Sequence, residues 1–117
     1  MNPQRGEIYL VPFGQEGKPR PVVIVSRDTL NGGNYVIVVP FTTQKLEERK
    51  GRQSCVFFNA GEGSLSQDCV AKTDEIQRIF KTEIDWVRGR IGRFSQDQMS
   101  KIVRAIRFVI RDDELIA

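Results

Sequence analysis

Residues 20–42 read RPVVIVSRDTLNGGNYVIVVPFT, two β-branched runs (Pro21–Ser26 and Tyr35–Phe41) on either side of Asn31-Gly32-Gly33-Asn34. Val and Ile favour extended backbone, and Asn and Gly accept the positive φ angles of a tight reversal, so the stretch predicts an antiparallel hairpin. With the reversal centred near Asn31, cross-strand partners carry numbers that add to about 61 or 62, which sets Arg20 opposite Phe41 or Thr42. A guanidinium and a hydroxyl then share one end of the sheet.

Further strands are expected on both sides of the hairpin. Gly6–Val11 (GEIYLV) precedes it across the glycine-bearing loop FGQEGKP. Ser54–Phe58, Gln67–Lys72 and Glu75–Ile79 follow it, separated by polar loops at Thr43–Gln53 and Asn59–Ser66. Thr82–Arg88 predicts a short helix, with Thr82 as N-cap and Asp85 completing a capping-box pattern before Gly89. Ser95–Arg111 predicts a longer one, because Met99, Ile102, Val103, Ile106, Val109 and Ile110 recur at spacings of three and four, behind a Ser95–Gln98 cap. That apolar stripe faces either the sheet or a second subunit, the sheet being its ordinary destination. The class is α+β: short strands that close on themselves as a barrel would protect their edges, and an amphipathic helix ends the chain.

The 117 residues suffice for one core, so 1–117 is expected to be a single domain. The longest apolar run, Tyr35–Phe41, falls far short of the roughly 20 residues that span a bilayer. MNPQRGE lacks the apolar centre of a signal peptide, so a cytoplasmic protein with no membrane partner is expected. Cys55 and Cys69 stand apart in a chain with no histidine, too few soft ligands for zinc; free thiols, no metal and no cofactor are the expectation. The net charge of +3 and pI near 9.1 favour polyanionic partners. Arg88, Arg90, Arg93, Lys101, Arg104, Arg107 and Arg111 crowd the last third, as either a solvated helix face or a binding surface.

Without histidine, GxSxG or a phosphate-loop glycine pattern, the familiar hydrolytic sets are missing. Catalysis falls to Arg, Lys, Thr, Ser, Asp or Glu. The pair Arg20 and Thr42 suits a phosphodiester, since a guanidinium donates two hydrogen bonds to non-bridging oxygens and a threonine hydroxyl supplies a third. RNA brings its own nucleophile in the ribose 2′-hydroxyl, which an enzyme need only position and deprotonate. The plainer uses are an Arg20 paired with a surface carboxylate and a Thr42 that terminates its strand.

Taken together and in order, RGEIYLV at 5–11, RPVVIVS at 20–26, VIVVPFTTQ at 36–44, DCVAKTDEI at 68–76 and IGRFSQDQM at 91–99 resemble the MazF/PemK/Kid family of type II toxin endoribonucleases. The similarity spans nearly the whole chain. It implies an SH3-like β-barrel of the CcdB/MazF type that forms a homodimer. Such a toxin cuts single-stranded RNA at short sequence motifs without a metal, leaving 2′,3′-cyclic phosphate and 5′-hydroxyl ends. An acidic MazE-like antitoxin would inhibit it.

By the same match the catalytic arginine falls on Arg20, the catalytic threonine on Thr42, and the family's acidic position on Asp74. Asp74 would accept the 2′-hydroxyl proton or orient Arg20, while Lys72 neutralises phosphate charge; two apart on a strand, they would otherwise form a structural polar face. RNA contacts are expected from Phe13, as a stacking platform, and from Lys18, Gln44, Lys72 and Gln77.

Three departures stand out: a short first loop without the common Asp-Pro, no histidine beside it, and DEIQ at 74–77 where many members read DQIR, so that the nearest arginine is Arg78. A gyrase poison like CcdB is disfavoured, because the chain ends DELIA rather than Trp-Gly-Ile and its one tryptophan is Trp86. A non-catalytic nucleic-acid-binding barrel would bind RNA with strong salt dependence and leave it intact.

Overall fold

The computed structural model describes residues 2–13 and 18–111, so the centre of the FGQEGKP loop and the DELIA ending lie outside the described residues. The elements in chain order are β1 (Glu7–Pro12), β2 (Pro19–Ile24), β3 (Tyr35–Thr42), α1 (Leu46–Arg49), β4 (Cys55–Phe58), β5 (Cys69–Lys72), β6 (Gln77–Phe80), β7 (Gly92–Arg93) and α2 (Gln96–Val109). β2 and β3 form the predicted hairpin. Val22 faces Pro40, Val23 faces Val39 and Ile24 faces Val38, pairs whose numbers all add to 62. A buried polar knot holds that register. The Ser26 hydroxyl donates to Asn31 Oδ1, Asn31 Nδ2 donates to the Ser26 carbonyl at 3.1 Å, and the Ile37 amide donates to Ser26 Oγ at 3.0 Å.

β1 lies on the other side of β2, with Ile8 opposite Val23 and Val11 opposite Arg20. β3 is long enough to serve several partners. Its first half pairs β6, from Tyr35–Phe80 to Val38–Gln77, and its end pairs β5 at Phe41–Ala71 and Thr42–Val70. The sheet order is β4-β5-β3-β2-β1-β7, with β6 alongside β3. This is an α+β fold, an antiparallel sheet curled into a half-barrel with a helix at its C-terminal end.

Side-chain alternation sorts the apolar residues onto the two faces of the sheet. Ile8, Val23, Val39, Phe41, Phe58, Leu65 and Phe94 form one layer, which α2 covers with Met99 and Ile102. Tyr9, Val11, Val22, Ile24, Val36, Val38, Ile79 and Ile84 form the other. The helix stripe thus faces the sheet, although Ile110 at its end is 66% exposed. Ser95 caps α2 as predicted: Ser95 Oγ accepts the Gln98 amide at 3.2 Å, and Gln98 Oε1 accepts the Ser95 amide at 2.7 Å. No helix among the described residues is long and apolar enough to cross a membrane.

Three local expectations are corrected. Thr82–Arg88 is not a helix: a single 3₁₀ turn covers Lys81–Glu83, and the Phe80 amide donates to the Glu83 carboxylate at 2.7 Å in place of a Thr82 cap. Beyond it Ile84 is buried, the Asp85 amide donates to Leu10 of β1, and Trp86 packs edge-on against Tyr9 while its indole N–H donates to the Lys81 carbonyl. Those anchors to β1 leave no slack for a helix to wind. The loop after β3 contains α1, whose single turn carries no periodicity to read. Glu75 is not the start of a strand: Thr73–Glu75 form a 3₁₀ turn, and β6 begins at Gln77.

Candidate active site

The β2–β3 ladder ends at Val22–Pro40, and the last two residues of β3 pair with β5 instead. Pro19, Pro21 and Pro40 offer no N–H with which to extend the ladder, so the two strands splay. The gap is a cleft of about 460 Å³. Arg20 and Thr42 line it from the two splayed strands, Gln44 and Arg49 from the segment running into α1, and Cys69, Lys72 and Glu75 from the far side. Arg20 sits two residues before Val22 and Thr42 two beyond Pro40, so both lie at the end of the hairpin where the β2–β3 ladder stops.

Arg20 is exposed and makes no ion pair or hydrogen bond among the described residues, so all of its donors are open to a ligand. Thr42 Oγ1 accepts the Gln44 amide at 3.2 Å, which leaves its own proton free to donate. Arg49 Nη1 donates to the Gln44 carbonyl at 3.0 Å and holds the same turn from behind, while its Nε is buried without a partner. On the far wall the Lys72 ammonium donates to Glu75 Oε2, with the Lys72 side chain only 18% exposed. Burial pushes the Cys69 thiol up to about 12, with the Asp68 and Glu62 charges adding to it. At neutral pH Cys69 is therefore a protonated thiol and a poor nucleophile.

Of the residues singled out from sequence, Arg20, Thr42, Lys18, Gln44 and Lys72 line this one cleft. Three others do not. Phe13 packs against the layer that holds Tyr9 and Ile84, Asp74 is exposed on the 3₁₀ turn, and Gln77 on β6 donates from its amide to the Glu75 carbonyl at 3.2 Å. Of the charged residues in the cleft, two had not been singled out, Arg49 and Glu75. Arg49 is hidden in the one-turn helix. Glu75 carries a signal only if residues 72–75 are read at the three-residue period of a 3₁₀ turn, which eclipses Lys72 and Glu75.

The family of PemK-like, MazF-like toxins of type II toxin–antitoxin systems matches residues 4–110. A probable endoribonuclease MazF of Mycolicibacterium smegmatis is 30% identical over 106 residues, covering 88% of this chain and 92% of that protein. The solved toxin MazF-mt6 of Mycobacterium tuberculosis superimposes with a TM-score of 0.71 at 26% identity, covering 88% of this chain and 94% of its own. A mycobacterial endoribonuclease solved in complex with its cognate antitoxin superimposes with a TM-score of 0.75 at 23% identity, covering 92% and 94%. With the match running almost end to end and the splayed hairpin inside it, the chain belongs to the PemK-like, MazF-like family of toxin endoribonucleases of type II toxin–antitoxin systems.

Proposed function

We propose that this chain cuts single-stranded RNA in the Arg20–Thr42 cleft, by attack of a ribose 2′-hydroxyl on the adjacent phosphorus. The products are a 2′,3′-cyclic phosphate and a 5′-hydroxyl. One observation carries the reading: a guanidinium with no partner among the described residues and a threonine hydroxyl line one cleft, at the end of the hairpin where the β2–β3 ladder stops. As phosphorus becomes five-coordinate, negative charge gathers on its non-bridging oxygens. Arg20 meets it with two hydrogen bonds and Thr42 with a third. Lys18 adds positive potential along the backbone path, and the Gln44 side chain, lining the same cleft, would read a base edge beside the cut. DNA lacks the nucleophile and would bind without being cut.

The cations of the cleft equally suit an acidic antitoxin segment, which would compete with RNA for the same surface. MazE–MazF complexes are known among the structurally similar proteins, from Deinococcus radiodurans. Exposed Tyr35, Ile37 and Phe80, side by side on β3 and β6, supply an apolar face on which a second copy can pack as a homodimer.

The test is incubation of the folded protein with long single-stranded RNA in EDTA, beside Arg20→Ala and Thr42→Ala, with the new ends mapped. The expected result is cutting with 5′-hydroxyl ends, slowed by about 100- to 1,000-fold in each variant. RNA left intact across varied sequences would favour a binding-only barrel. Undiminished cutting by both variants would put the chemistry elsewhere.

A further inference from the structure

Cleavage by a 2′-hydroxyl needs a group that takes its proton, and the cleft holds few candidates. The chain has no histidine. Lys18, Arg20, Arg49 and Lys72 carry cationic side chains that present donors only. Thr42 is a neutral hydroxyl, and Cys69 keeps its proton far above neutral pH. Among the described residues lining the cleft, Glu75 is the one carboxylate.

Its setting suits the task. Glu75 Oε2 is held by the Lys72 ammonium, which fixes the carboxylate's orientation, while Oε1 accepts no hydrogen bond among the described residues. The turn that carries it is itself anchored: Thr73 is fully buried, and its amide and hydroxyl both donate to the Ser54 carbonyl, at 3.0 and 2.7 Å. Asp74 is the neighbouring residue of that turn, about 120° around a helix of three residues per turn, and it is exposed without lining the cleft.

Resting on the RNA-cleavage reading above, we infer that Glu75, oriented by Lys72, is the general base of this site and takes the proton of the attacking 2′-hydroxyl. The step balances. The 2′-hydroxyl proton passes to Glu75 Oε1 as the O2′–P bond forms, the P–O5′ bond breaks, and the departing 5′ oxygen takes a proton from water. Glu75 returns its proton to solvent before the next turnover. Lys72 is a positioning residue in this scheme.

Glu75→Gln keeps the shape and removes the proton acceptor. It is expected to lower kcat by about 100- to 10,000-fold while KM stays within a few-fold. The acidic limb of the wild-type kcat/KM pH profile should disappear with it, and added formate should restore part of the rate of Glu75→Ala in proportion to its concentration. A role confined to neutralising Lys72 predicts instead that Lys72→Met/Glu75→Gln recovers the wild-type rate. That recovery would overturn the inference, as would an acidic limb that persists in Glu75→Gln or a Glu75→Ala enzyme indifferent to formate. Failure of the wild type to cut RNA at all would sink the RNA reading itself. A wild type that cuts beside a Glu75→Gln of equal rate would sink only the assignment of Glu75.

Discussion

The two walls of the cleft are built by different means. The hairpin wall takes its geometry from a short stretch of chain: the β-branched runs choose strand, the Asn/Gly segment reverses it, and the Ser26–Asn31 knot locks the register that carries Arg20 and Thr42 to one end. The far wall takes its geometry from a distant strand. Lys72 pairs with Cys55 of β4, and Thr73 is tied to Ser54, so the 3₁₀ turn that brings Glu75 round to Lys72 depends on β4 already being in place. The walls differ in charge as well, a bare cation facing an internally neutralised pair.

Breaking the hairpin wall should have the largest effect on the fold. Asn31 is 1% exposed, and both ends of its amide are used on Ser26. Asn31→Leu would leave Ser26 oxygens buried with fewer partners, at a cost of about 1–3 kcal/mol. Urea denaturation should show a lower midpoint with an unchanged slope. Cleavage should fall too, because the same knot fixes the strand register at the cleft. A fully stable, fully active Asn31→Leu protein would mean that the strands hold their register without the knot.

This difference also explains what could be read before the structure. That Arg20 and Thr42 share one end of the hairpin and one cleft was legible because one reversal brings the two strand ends together, and the observed pairs all keep the higher of the two expected sums. The α2 cap and stripe were legible for the same reason, being local patterns. Glu75 was not. Lys-Thr-Asp-Glu following a strand reads naturally as more strand, which pairs Lys72 with Asp74, and only the buried hydrogen bonds of Thr73 to Ser54, 19 residues away, convert that period of two into a period of three. The segment 82–88 failed likewise: its capping pattern is local, but the burial of Ile84 and the bond to Leu10 are not.

Two alkaline probes, one beneath each wall, sharpen the comparison at a smaller scale. Burial raises the Cys69 thiol to about 12 on the far wall, and burial with the Glu7 hydrogen bond raises the Tyr9 phenol to about 12 in the layer under the hairpin. Both are acids whose folded values lie above their ordinary ones, 9.0 and 10.0, so the unfolded chain releases its protons first. Stability is then fully present below pH 9 and falls as pH rises toward about 12, by no more than about 1.4 kcal/mol per pH unit for each group. Cys69→Ala should delay the onset of that fall by about one pH unit, leaving the Tyr9 contribution. An onset that does not move would mean that the far wall opens before its thiol ionises.

The charge difference is the subtlest and is best read in binding, with a 2′-deoxy oligonucleotide that cannot be cut. Each phosphate neutralised on a single strand releases counterions worth about 0.7 in the slope of log affinity against log salt. Arg20 has no partner to give up, so Arg20→Ala should lower that slope by about 0.7. Lys72 and Glu75 already cancel each other, and Lys72→Met/Glu75→Gln should leave the slope where it was. If the double variant instead loses as much as Arg20→Ala, Lys72 must abandon Glu75 for a phosphate when the strand enters. The far wall would then become a second bare cation in the complex, and the electrostatic contrast between the walls would hold only in the free protein.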